Sequence, residues 1–115
     1  MAIVILGIDL GKNICSLVGV DEDGGVVLRR RMRRQTVHTF AAKLPACIVA
    51  MEACCGAHHL ARELAVLGHD VRLMAPRFVK PFLKSNKNDY LDAEAIAEAV
   101  QRPTMRFVPV KTDEQ

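Results

Sequence analysis

Ile3-Val4-Ile5-Leu6-Gly7-Ile8-Asp9 and Ala46-Cys47-Ile48-Val49-Ala50-Met51-Glu52 are the two stretches on which the fold turns. Each is an unbroken run of apolar, strand-forming residues, the pattern of a central strand covered on both faces. Each ends on an acid. After the first, Ile14–Val20 reads as a second strand and Asp21-Glu22-Asp23-Gly24-Gly25 as a hairpin turn of residues that tolerate positive φ. Val26-Val27-Leu28 is a third strand, extending into Arg29-Arg30-Arg31-Met32-Arg33-Arg34. A short helix over residues 36–44, capped by Thr36, leads to the second apolar run. A helix over residues 57–67, stopped by Gly68, leads to a fifth strand at Asp70–Met74. Pro76 opens a short helical segment at 77–84, and residues 104–110 read as extended.

The order predicts an α/β domain with a mixed five-stranded sheet, three antiparallel strands then two parallel ones, flanked by helices. A right-handed crossover pairs the fourth strand parallel with the first. Neighbouring parallel strands lie about 4.8 Å apart and end at the same edge. Asp9 and Glu52 are therefore expected side by side at the C-terminal edge, where open α/β sheets hold their active sites.

Lys87-Asn88-Asp89-Tyr90-Leu91-Asp92-Ala93-Glu94-Ala95-Ile96-Ala97-Glu98-Ala99-Val100 reads as a helix, capped by Asn88, with Pro103 just beyond it. Asp89 and Asp92, three apart, share a face that continues into Ile96 and Val100, while Glu94 and Glu98 fall on the other side. Two readings of these aspartates stand. The helix dipole favours acids in a first turn by about 0.3–1 kcal/mol each. Alternatively they are metal ligands, a reading strengthened if the helix crosses the edge that carries Asp9 and Glu52. Four carboxylates in one place raise one another's pKa unless cations neutralise them. Mg²⁺, for which Mn²⁺ substitutes, takes oxygen ligands, and two such ions about 3.5–4 Å apart clamp the attacking and leaving oxygens of a phosphodiester. Asp9, Glu52 and Asp92 are the expected core ligands, with Asp89 completing the site. No organic cofactor is expected.

The 115 residues, half of them hydrophobic and a quarter charged, suit one globular domain. It is placed at residues 1–110, with 111–115 as the start of a linker. No signal peptide and no membrane-spanning run is read. Cys15, Cys47, Cys54 and Cys55 form no CxxC pair and are taken as reduced thiols. Cys54-Cys55-Gly56-Ala57-His58-His59 matches no standard zinc spacing. Its cysteines read as small buried side chains and its histidines as a first helical turn, one of them a candidate to position DNA or metal-bound water near Glu52. Lys12 lies one strand-end from Asp9 and is otherwise a turn residue.

The net charge is +3, but five arginines crowd residues 29–34. Arg29, Arg31 and Arg33 would share one face of a strand. They are either a charged edge that resists aggregation or contacts to a nucleic-acid backbone. Arg72, Arg77, Lys80, Lys84 and Lys87 form a second basic set, of which Lys80, Lys84 and Lys87 are the expected nucleic-acid contacts. With four Phe and one Tyr, base stacking is not the expected binding mode.

Three motifs carry a resemblance. Gly7-Ile8-Asp9-Leu10-Gly11-Lys12, Met51-Glu52-Ala53-Cys54-Cys55-Gly56-Ala57-His58-His59 and Lys87-Asn88-Asp89-Tyr90-Leu91-Asp92-Ala93 resemble those of DEDD transposases. The family is the bacterial insertion-sequence family IS110, particularly its IS1111 branch, which is related to Piv invertases. The segments 68–74 and 101–109 are similar too. The resemblance implies a RuvC-like, RNase H-type domain whose metal-binding tetrad maps onto Asp9, Glu52, Asp89 and Asp92. It further implies a cytoplasmic bacterial recombinase acting on DNA, in some members guided by a structured RNA, with homo-oligomers expected of the full-length protein. Family members carry a C-terminal domain with a nucleophilic serine. This chain stops short of it, so a fragment or truncated product is expected. The rival readings are a guide-RNA- or DNA-binding module without independent catalysis and a RuvC-like junction endonuclease. An actin-like kinase would need a Gly/Ser/Thr-rich phosphate loop after Asp9, where Lys12-Asn13-Ile14 stands instead.

Overall fold

Burial dictates the layers. In the computed structural model, which describes residues 2–85 and 88–112 and only the backbone of Cys55, both apolar runs are inner strands. β1 (Ile5–Asp9), β2 (Ile14–Val20), β3 (Val26–Arg33), β4 (Ile48–Glu52) and β5 (Asp70–Met74) form one sheet in the order β3-β2-β1-β4-β5. β1 pairs antiparallel with β2 and parallel with β4, β2 pairs antiparallel with β3, and β4 pairs parallel with β5. The expected mixed sheet is the observed one.

Alternation along each strand splits the core in two. Leu6, Ile8, Val49 and Met51 face a cluster closed by α1 (Val37–Ala42) and α2 (Cys55–Val66), through Val37, Ala41, Leu60 and Leu64. Ile5, Val18, Ala50 and Met74 face the opposite cluster, closed by α3 (Pro76–Val79) and α4 (Leu91–Ala99) through Val79, Ala93, Ile96 and Ala97. α4 lies directly on β1. A Cβ on Gly7 would stand 2.5 Å from the Ala93 carbonyl oxygen and 2.9 Å from the Ala97 Cβ, so glycine there sets how closely the helix approaches.

The turns follow local chemistry. Asp21 Oδ1 accepts from the Asp23 and Gly25 amides, and Gly24 takes φ +85° at the hairpin tip. Gly68, at φ +99°, ends α2. Buried His69 ties the α1 layer to the sheet: its Nε2 meets the Ala41 carbonyl at 2.9 Å and its Nδ1 accepts from the Cys47 amide at 3.2 Å.

Several boundaries differ from expectation. The basic run belongs to β3 through Arg33, and a 3-10 turn at Arg34–Thr36 precedes α1. Thr36 stands at the N-cap of α1, but its hydroxyl donates back to the Arg33 carbonyl and caps nothing. The segment expected at 77–84 is α3 followed by a 3-10 turn at Lys80–Phe82. Residues 104–110 form no named strand but reach the sheet through the Leu73–Val108 bridge, the Arg72 guanidinium over Phe107 at 5.3 Å, and Val108 and Val110 against the core. The largest shift is at α4, which begins at Leu91 rather than beside Lys87. Asn88 Oδ1 instead accepts from the Tyr90 amide at 2.7 Å, holding Asn88, Asp89 and Tyr90 as a turn before the helix.

Candidate active site

Register fixes the site. Asp9 lies opposite Ser16, Ser16 opposite Arg31, and Glu52 opposite Met74. Ile8 pairs with Met51, so Asp9 and Glu52 occupy the next position of the same parallel ladder. One row therefore crosses the sheet edge: Arg31, Ser16, Asp9, Glu52, Met74. Alternation from Ile5 and Gly7, and from Ala50, turns Asp9 and Glu52 to the α4 face.

α4, seated on Gly7 through Ala93 and Ala97, brings the Asp92 charge near enough to act on Asp9 and Glu52. The electrostatics register the convergence. Burial raises the Asp9 pKa above its usual 3.8, and the Asp92 charge raises it further. Burial likewise raises Glu52 above 4.5, followed by the charges of Asp9 and Asp92. The all-oxygen donor set fits a hard divalent cation. Among the described residues, no three His, Cys, Asp or Glu side chains stand close enough together to hold a metal ion. Mg²⁺ in particular is commonly held by one or two carboxylates together with substrate phosphates, not by an all-protein cage.

Asp89 is placed differently from the other three acids. It lies in the turn before α4, its side chain 68% exposed, 3.6 Å from Arg31 on β3. The expectation that it shares a helical face with Asp92 is corrected: the Asn88 turn uses up the residues that would have formed the first helical turn. Glu94, expected on the solvent face, is 15% exposed and meets Arg29 Nε at 3.2 Å. The two acids clamp α4 and its leading turn to β3.

The basic residues separate by strand face. Arg29 and Arg31 lie on the α4 side through these pairs, and Arg33 follows the same alternation, whereas Arg30 stacks on Phe40 of α1 at 5.2 Å. Lys80 is exposed. Lys84 lines a hollow with Glu98, Gln101 and Gly24, near the hairpin end and far from the acidic row. Lys87 lies outside the described residues. Arg72 pairs with Asp70 at 2.7 Å, at the start of β5. Cys15 and Cys47 are buried free thiols, whereas Cys54, expected buried, is an exposed one just before α2.

Ser16 was missed by the sequence reading. It is 7% exposed, in the row beside Asp9, on the face that carries the acids. A lone hydroxyl within Ile14-Cys15-Ser16-Leu17-Val18 was the signal available.

A parallel pair of strands ending in acids, an antiparallel flank and a crossing acidic helix define an RNase H-like fold. Two structures of Thermus thermophilus RuvC share it. One, solved with a Holliday junction substrate, gives a TM-score of 0.62 at 16% identity, covering 92% of this chain and 99% of that one. The other gives 0.67 at 14% identity, covering 90% and 99%. The chain belongs to the DEDD transposase family of the IS110 type, whose family model, described as a transposase, matches residues 6–115. Among its relatives, the transposase of insertion sequence IS1328 from Yersinia enterocolitica is 50% identical over 98% of this chain and 34% of its own length. A probable family 20 transposase of Pseudomonas aeruginosa is 56% identical over 96% of this chain and 32% of its own. The transposase of IS1111A from Coxiella burnetii is 50% identical over 98% and 31%. The chain thus spans about a third of the length of these relatives. Among the described residues, no helix is long and apolar enough to cross a membrane.

Proposed function

We propose that this chain is the metal-dependent catalytic domain of a transposase, cleaving or transferring DNA phosphodiesters during movement of an insertion sequence. The observation that carries the reading is the acidic row: Asp9 and Glu52 on one face of neighbouring parallel strands, with Asp92 near enough to raise both pKa values. Asp9, Glu52 and Asp92 would hold the metal together with substrate phosphates, and Asp89 is an outer fourth carboxylate 3.6 Å from Arg31 on β3. Bound Mg²⁺ or Mn²⁺ would supply charge neutralisation and activation of the attacking oxygen. The chain's own residues position that chemistry: the strand ends fix two half-buried carboxylates, and α4 brings the exposed third near them. Arg33 and Lys80 are exposed for backbone contact, and Arg29 and Arg31 become available where a phosphate displaces their acidic partners. Lys84 extends the basic surface, and Lys87 is a further backbone contact in this reading. Residues 1–110 are the catalytic unit and 111–115 lead into a linker. A guide RNA and self-association belong, in this reading, to the longer protein that the relatives' lengths suggest.

The junction-endonuclease alternative draws on a fold likeness at 14–16% identity, against 50–56% for the transposases cited. Crystals soaked in Mn²⁺, with anomalous scattering collected for wild type and Asp9→Asn, test the proposal. A peak among Asp9, Glu52 and Asp92 that vanishes in the variant supports it. Wild-type crystals without a peak, both alone and with DNA, would favour a binding module instead.

A further inference from the structure

On the opposite side of the same sheet edge, a cleft of about 460 Å³ opens between the β1–β2 loop, the 3-10 turn after β3 and the start of α2. Lys12, Arg34, His38 and His59 line it, with Glu63 the one carboxylate among its walls. Glu63 is engaged by His59 at 3.5 Å. Two permanent cations and two imidazoles therefore surround one cleft, with a single acid already partnered.

Arg34 is built into this place. Its amide donates to the Asn13 carbonyl at 2.9 Å, tying the β3 end to the β1–β2 loop. Its guanidinium occupies the space a Cβ on Gly56 would need, so any larger residue there would displace it. The first turn of α2 beneath it carries no acid. Lys12 and Arg34, with no ion-pair partner among the described residues, repel each other, and an anion between them removes that cost. A guanidinium fork beside an ammonium suits a phosphate in particular.

Position identifies which phosphate. Lys12 follows Asp9 by three residues and Gly56 follows Glu52 by four, so the cleft begins where the acidic row ends. We propose that the Lys12–Arg34–His59 cleft grips a backbone phosphate of the DNA strand whose phosphodiester lies at Asp9 and Glu52. The grip fixes the strand's path across the edge from the α4 side to the α2 side. The inference rests on the DNA reading of the acidic row and adds to it a second, non-catalytic anchor.

The test is fluorescence anisotropy of this chain with a labelled DNA oligonucleotide, single- and double-stranded, and with RNA of the same sequence, across a salt series. Lys12→Gln/Arg34→Gln should weaken DNA binding about tenfold or more and lower the slope of log affinity against log salt by about 1.4–1.8. Gly56→Ala keeps every charge but evicts the guanidinium, and should lower the slope by about 1. Lys43→Gln/Arg106→Gln, removing two charges elsewhere, controls for net charge, and circular dichroism confirms that each variant is folded. DNA binding by wild type that survives both cleft changes overturns the anchor and leaves the acidic row's role intact. A loss confined to RNA also overturns it. No DNA binding by wild type sinks both readings. A lowered slope with no Mn²⁺ at the acids keeps the anchor and removes the catalytic proposal.

Discussion

Asp9 is an acid that its own fold disfavours as an anion. Burial and the Asp92 charge raise its pKa, and Glu52 is raised by burial and by both aspartates. Between their ordinary values and the raised ones, the folded chain binds more protons than the unfolded chain. The stability they contribute is complete below about pH 3.8 and is lost as pH rises through the raised values. Asp9→Asn should therefore melt above wild type at pH 7.5 without divalent metal. The gap should close toward pH 3.5 or on adding Mg²⁺, as differential scanning calorimetry would read. For activity, Asp9→Asn, Glu52→Gln and Asp92→Asn should each cost about 100-fold or more in a cleavage assay. Asp89→Asn should cost clearly less, because that carboxylate sits over β3. His69 makes a separate prediction. Replacing it with Leu strands the Cys47 amide, while the Ala41 carbonyl keeps the Leu44 amide, a loss of about 1–3 kcal/mol in urea denaturation.

Among the elements, α4 decides whether the Asp92 charge acts on Asp9 and Glu52. Its seat is Gly7, where a methyl would strike the Ala93 carbonyl and Ala97. Gly7→Ala should destabilise by about 1–3 kcal/mol. It should also uncouple Asp92 from Asp9, visible by NMR titration as a lower Asp9 pKa. The Arg29–Glu94 contact fastens the same helix to β3, and a double-mutant cycle should return about 0.2–1 kcal/mol of coupling. The strands were legible because their apolar runs and acid ends are local patterns: Ile14–Val20 and Asp70–Met74 fall on the residues expected. The start of α4 was not. Asn88 fits a helix cap and a turn equally well by type, and in the fold it makes the turn, so that the helix begins two residues later with Tyr90 at its cap. The Arg34 cleft was equally hidden, since it joins three segments distant in sequence.

For the molecule as a whole, stability should grade outward from β1 and β4. Amide exchange should be slowest there and fast over residues 104–112, whose backbone joins the sheet ladder only at the Leu73–Val108 bridge among the described residues. The acidic row was legible at this scale because topology follows from element order, and parallel neighbours must end together. The row also has an arithmetic side. Asp9 and Glu52 face α4 because an even number of steps separates Ile5 from Asp9 and Ala50 from Glu52. Dropping one residue anywhere between those points, even while keeping every carboxylate, would swing an acid through the sheet into the apolar layer beneath α2. The count of residues there carries information that their identities do not. Deletions within these strands should therefore be far less forgiving than substitutions at the same positions.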